Sequence, residues 1–246
     1  MPLIEEAALR RDLLSPPNST CELPLQRMTG PLVKAARDQT HHAPDGIGTF
    51  VSVLGSEMSL HNILSRRRSV RAFNGKPAPV AEIAGIARAG LAAERRLRTA
   101  ETPDCMRMTI VLAALNVAGL VPGLHISRAE AAGTFSLIQQ EPAWMQELRQ
   151  RYADAPAILM ICGDTRSACR AMGKRGYGQI LVHAAAAGHA AWLRAISLGM
   201  AGTVFGETCH QATASLAQDD FPHRWHLFTV AVGYRTGTSE EYPHRD

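Results

Sequence analysis

The chain has 246 residues, 46% of them hydrophobic and 20% charged, and a formal net charge of +4 at pH 7, as in an ordinary globular protein with a substantial core. Aromatic residues make up 5% of the chain, too few for the stacking platforms that bind single-stranded nucleic acid. The most apolar run, residues 110–124, is too short to span a bilayer. From these two observations we expect neither a nucleic-acid nor a membrane partner.

The first part of the chain is predicted to be irregular. Residues 1–57 contain clusters of turn-forming residues and read as an N-terminal extension, followed by a folded domain over residues 58–246. Ser59 is well placed to cap a helix that runs into a group of arginines. A second helix is predicted to start at Pro79, after which apolar residues recur at helical spacing.

The rest of the chain alternates between strand-like and helical patterns. The longest helix is predicted from about Tyr177 to Leu198 and is closed by Gly199. Strands separated by helices predict an α+β or α/β layer protein with one sheet. Four apolar runs have the length of buried strands: residues 109–116, 122–126, 157–162 and 227–232.

The arginine motif, residues 66–71, places four arginines and a serine within six residues. A guanidinium group matches phosphate oxygens with two parallel hydrogen bonds, and a serine hydroxyl adds a neutral donor. The motif therefore predicts an anion-binding site. The alternative from the residues alone is a solvated basic cluster that favours the end of a helix.

Cysteine and histidine usage bears on compartment and metal binding. The five cysteines are scattered without a CxxC pair, and the N-terminus shows no secretory signal, so we expect a cytoplasmic protein. His183 and His189 are six residues apart, which is not a ligand spacing on one helical face. We expect no metal site.

Four segments in order together resemble the nitroreductase superfamily, and within it the SagB-type dehydrogenases: residues 67–73, 117–126, 173–177 and 230–235. The resemblance implies an α+β fold with a central, mainly antiparallel mixed sheet flanked by helices. It also implies an intertwined homodimer with FMN bound at the interface. The residues that it implies in FMN binding are Arg67, Arg68, Ser69, Arg71, Gly199, Met200, Ala201, Gly202 and Arg235. The turn 199–202 either offers backbone N–H groups to the flavin or only caps the helix.

The chain departs from the SagB-type pattern where chemistry is expected. Ala171 and Met172 stand in place of the Lys-Tyr pair that serves as base in those enzymes, and neither can move a proton. The remaining candidates for substrate-side chemistry are Asp104, Cys105, Tyr177, His183 and His189. For the cysteine and the histidines the alternative is a buried structural role.

The resemblance therefore predicts an FMN-dependent oxidoreductase that acts, as a cytoplasmic homodimer, on a peptide-derived or other natural-product intermediate. A biosynthetic partner protein is a further candidate. One alternative is a non-catalytic subunit of the same fold in a peptide-modifying complex. Another is an NAD(P)H-dependent nitro or quinone reductase, which needs no protein base because the flavin delivers hydride and solvent delivers the proton.

Overall fold

The computed structural model describes residues 58–127, 134–152, 154–206 and 224–236. The predicted extension, residues 1–57, lies outside them. The helices are α1 Leu60–Arg66, α2 Val80–Leu97, α3 Met145–Arg151, α4 Thr165–Met172 and α5 Lys174–Ser197. The strands are β1 Ala78–Pro79, β2 Thr109–Ala114, β3 Val117–Ala118, β4 Gly123–Ser127, β5 Ser136–Gln140, β6 Ala157–Asp164, β7 Ala201–Phe205 and β8 Arg224–Gly233.

A six-stranded sheet in the order β5-β4-β2-β6-β8-β7 forms the centre of the described part of the chain. All of its neighbouring strands pair antiparallel, and β1 and β3 form a separate short parallel pair. Helices α2 and α5 cover one face of the sheet, and α3 packs against the other. The predicted α+β class with a mainly antiparallel sheet and flanking helices is confirmed.

The central strands β2 and β6 are buried on both faces, which explains their continuous apolar sequences. In β2, Ile110 and Leu112 face α5, whereas Val111 and Ala113 face α3. The alternation follows from the two-residue period of a strand. The sheet therefore separates two hydrophobic cores.

Small residues let α5 approach its neighbours closely. A Cβ at Gly188 would collide with the ring of Phe228 on β8. A Cβ at Gly90 of α2 would come within 2.7 Å of the carbonyl oxygen of Ala187. The alanine- and glycine-rich sequence of α5 thus fixes its position between α2 and the sheet, and with it the position of every side chain that α5 carries.

The structure confirms the predicted elements and corrects several of their bounds. Ser59 caps α1, its Oγ accepting a hydrogen bond from the Asn62 N–H at 3.2 Å. Strand β2 ends two residues before the predicted 116, because the next two amides both donate to the Pro156 carbonyl. Helix α5 begins at Lys174, before the predicted Tyr177. Strands β1, β3, β5 and β7 and helix α4 were not predicted.

Candidate redox cofactor site

The arginine motif lies along strand β7, at an edge of the sheet. Ser69 forms a parallel bridge with Gly202, and the Val70 N–H donates to the Gly202 carbonyl at 3.1 Å. Arg67 caps the C-terminus of α1, its N–H donating to the Leu64 carbonyl at 3.2 Å. The backbone of the motif is therefore held by both a helix end and a strand edge.

Arg67 and Arg71 stack on aromatic rings. The Arg67 guanidinium carbon lies 4.8 Å from the ring centroid of Trp192, and that of Arg71 lies 5.9 Å from the centroid of Phe205. Among the residues that the structure describes, neither guanidinium is paired with a carboxylate. Stacking occupies the face of a guanidinium and leaves its N–H donors, which lie in its plane, available to an anion.

The other two predicted phosphate-binding arginines differ from these. Arg68 Nη1 donates to the carbonyl oxygens of Ser65 at 3.2 Å and Arg67 at 2.9 Å, so part of its donor set stabilises the turn itself. Arg235 is exposed and bridges Phe73 just beyond the end of β8. The bridge brings the backbone of Arg235 next to Phe73, two residues after the arginine motif ends.

The predicted turn 199–202 divides between a helix cap and a strand. Gly199, with φ of 75°, donates to the Ile196 carbonyl, and Met200 donates to the Ala195 carbonyl, each at 3.0 Å. This is the Schellman arrangement that closes an α-helix. The geometry therefore gives these two N–H groups to the cap, while Ala201 and Gly202 begin β7 and support the arginine motif.

His189 joins the arginine motif through Trp192. The two rings meet edge to face with centroids 6.5 Å apart. Burial and then the positive charge of Arg67 lower the pKa of His189 below its ordinary value. The imidazole is therefore neutral at pH 7 and accommodates the neighbouring guanidinium without repulsion.

His183 lies between α2 and α5, away from the arginine motif. Its Nδ1 is 3.0 Å from Glu94 Oε1 and, since a carboxylate only accepts, donates to it. Arg98 Nε lies 3.2 Å from the same oxygen. We call Glu94, Arg98 and His183 the Glu94 cluster. Sequence analysis missed Glu94, whose signal was a single acidic residue on the apolar face of α2.

Asp104, Cys105 and Tyr177 lie at the opposite end of the sheet. Asp104 opens a short 3-10 helix, Asp104–Met106, and forms an exposed ion pair with Arg107 at 2.9 Å. Burial and the nearby Asp164 carboxylate raise the pKa of the Cys105 thiol, which keeps it protonated and weakly nucleophilic.

The separation of these residues follows from the length of α5. Tyr177 and His189 lie twelve residues apart on that helix, roughly 18 Å along its axis. Strand pairing gives the same order, because Asp164 pairs with Arg224 at one end of β8 and Gly202 pairs with Val232 at the other. Within one chain, then, His189 is the predicted substrate-side residue that reaches the arginine motif.

Three further properties concern the described residues as a set. Within the described ranges, no three His, Cys, Asp or Glu side chains come together as a group that could hold a metal ion. The described helices include none that is both long and apolar enough to cross a membrane. In the described part of the chain, Cys105, Cys162 and Cys169 are not joined in disulfide bonds.

Solved structures match this fold, whereas no protein-family model and no curated protein sequence matches the chain. A candidate nitroreductase from Anabaena variabilis is 19% identical and superimposes on 70% of this chain with a TM-score of 0.57. This chain spans 37% of that protein's length. A candidate nitroreductase from Ralstonia eutropha is 18% identical, with a TM-score of 0.52 over 74% of this chain and 85% of its own. The described residues therefore have the nitroreductase fold, as predicted.

Proposed function

We propose that the protein is an FMN-dependent oxidoreductase. The observation that carries this proposal is the pair of stacked arginines, Arg67 and Arg71, beside Ser69 and without a carboxylate partner among the described residues. Two unneutralised guanidinium groups held at a strand edge fit a phosphate dianion. When bound, FMN supplies hydride transfer at its flavin ring, which no side chain of the chain can supply.

In this proposal the chain's own residues bind and orient the cofactor. Arg67, Ser69 and Arg71 hold the phosphate, and Arg235 lies where it can add a further positive charge. Neutral His189 lies beside Trp192 on α5, where it accepts or returns a proton without competing with the arginines for the phosphate. The Schellman cap at Gly199 keeps the start of β7, and thus the arginine motif, in a fixed place.

We also infer that the protein acts as a homodimer. Asp104, Cys105 and Tyr177 lie too far from the arginine motif of their own chain to share a site with it, so a shared site requires a second copy. Exposed large apolar side chains on α1 and α5 support such an interface: Leu64 is 43% exposed and Val182 60%. The sequence-based prediction of an intertwined dimer is compatible with both observations.

For the substrate, we propose a peptide-derived or other natural-product intermediate in the cytoplasm. Ala171 and Met172 end helix α4 and carry no titratable group, so the candidates that we propose for proton transfer are His189, Asp104 of a second copy and solvent. The same observation favours a second candidate, an NAD(P)H-dependent nitro or quinone reductase. A peptide-modifying complex with a partner protein remains the alternative if the protein binds FMN without turnover.

The proposal is tested by the absorbance spectrum of the purified chain and of two matched variants. The unmodified protein should retain stoichiometric FMN. Arg67→Ala should weaken FMN binding about 10- to 100-fold, because it removes charge-assisted hydrogen bonds to the phosphate. Arg88→Ala, exposed on α2 and outside the arginine motif, should leave FMN binding unchanged. A colourless protein that takes up no added FMN would contradict the proposal.

A further inference from the structure

Trp192, a buried residue of α5, contacts both the arginine motif and strand β7. It is 4% exposed, lies on the last turns of α5, and carries the Arg67 guanidinium on its face. Its other edge lies against Gly202, where a Cβ would come within 3.1 Å of Trp192 Cδ1 and 3.4 Å of Nε1. The ring is therefore fixed between the strand edge and the arginine motif.

The indole N–H of Trp192 is buried and has no hydrogen-bond partner among the described residues. An N–H left unpaired inside a protein lowers stability, and leucine would fill apolar space without this cost. Filling the core thus does not account for a tryptophan at this position. The contact that it makes and that leucine could not make is the one with Arg67.

The contact places Arg67 without neutralising it. A carboxylate partner would hold the guanidinium equally well but would occupy the donors that an anion needs. The face of an indole attracts the cation through its quadrupole and leaves the N–H groups in the guanidinium plane unused. His189 contacts the same ring edge to face.

We propose that Trp192 is a positioning residue for the phosphate-binding arginine, and that it sets the preference of the protein for FMN over riboflavin. This inference rests on the proposed FMN-binding function. Trp192 makes no contact with the phosphate in this account. It holds Arg67 in the orientation from which the guanidinium reaches the phosphate, so that the stacked pair acts as one unit.

The experiment is a flavin titration of the apo protein and its variants, followed by fluorescence, with FMN and riboflavin measured in parallel. Riboflavin lacks the phosphate and therefore reports any general loss of structure. Trp192→Leu should reduce the ratio of riboflavin to FMN dissociation constants about tenfold, while riboflavin affinity changes little. Trp192→Phe, which retains an aromatic face, should keep the ratio within about threefold.

Two further comparisons separate positioning from core filling. In an Arg67→Ala background, Trp192→Leu should no longer alter the ratio, because the residue it positions is gone. If Trp192→Leu does not fold, biosynthetic replacement of tryptophan by increasingly fluorinated tryptophan weakens the face of the ring at nearly constant shape. The FMN preference should then fall in step with fluorination.

The outcomes distinguish this inference from the function on which it rests. Wild-type protein that binds neither flavin would overturn both. Wild-type protein that prefers FMN, with a preference that survives in Trp192→Leu or in the fluorinated protein, would overturn the role of Trp192 alone. Equal losses of FMN and riboflavin affinity in Trp192→Leu would assign Trp192 to the core and overturn the inference.

Discussion

Two groups of basic side chains lie beside α5, and they differ in whether a carboxylate pairs with them. In the Glu94 cluster, a buried carboxylate accepts from His183 and pairs with Arg98. In the arginine motif, Arg67 and Arg71 lie on aromatic rings with no carboxylate among the described residues. The first group contains its own carboxylate, so it links α2 to α5 and stabilises the fold. In the proposed function, the second group binds the phosphate of FMN.

The largest effect is expected from removing the negative charge of the Glu94 cluster. Glu94→Gln removes the buried negative charge that pairs with Arg98, which should lower the free energy of unfolding by about 3 kcal/mol. Urea denaturation measures this loss. The exposed Glu101→Gln serves as the control and should change stability little. Loss of FMN affinity without loss of stability in Glu94→Gln would contradict the structural role.

A smaller effect is expected where α5 meets the sheet, since both groups depend on the position of this helix. Gly188→Ala brings a Cβ into the Phe228 ring and should lower the free energy of unfolding by about 2 kcal/mol. Gly85→Ala on α2, where a Cβ meets nothing closer than 4.0 Å, is the matched control and should be neutral or stabilising. Equal behaviour of the two variants in denaturation would show that the approach of α5 is not close.

The smallest effect is expected in the pH dependence of stability. The pKa of His189 is lowered in the folded protein, so the unfolded chain binds the proton more readily. The wild-type apo protein should therefore lose stability relative to His189→Gln as pH falls through about 6.5, and the two should change in parallel above that pH. Thermal unfolding between pH 5 and 8 measures the difference. A constant difference across that range would mean that the pKa of His189 is not lowered by burial and by Arg67 in the folded protein.

Sequence analysis predicted the elements that carry a clear local sequence pattern. It missed those whose secondary structure depends on pairing with residues distant in the chain. Strand β6 was predicted because burial on both faces gives it an unbroken apolar run. Strand β7 was missed because its small residues follow a helix cap directly, and its extended state comes from pairing with β8. No local pattern marks that pairing.

The candidate site shows the same limit. The arginine motif was recognisable because its residues are adjacent, and its role was inferred from guanidinium chemistry and from the resemblance. Sequence analysis did not single out Trp192, because it occupies an apolar position within the long predicted helix. The pairing of His183 with Glu94 joins residues 89 positions apart, so sequence spacing could not reveal it. The division of the predicted catalytic residues between two ends of the sheet likewise required the strand order.

The most direct test of the central claim is the affinity of the wild-type apo protein for FMN and for riboflavin at one ionic strength. If the unbalanced arginines form the phosphate site, FMN should bind about 100-fold more tightly than riboflavin, and added salt should narrow the difference. Equal affinity for the two flavins would contradict the account, because the phosphate would then gain nothing from Arg67 and Arg71.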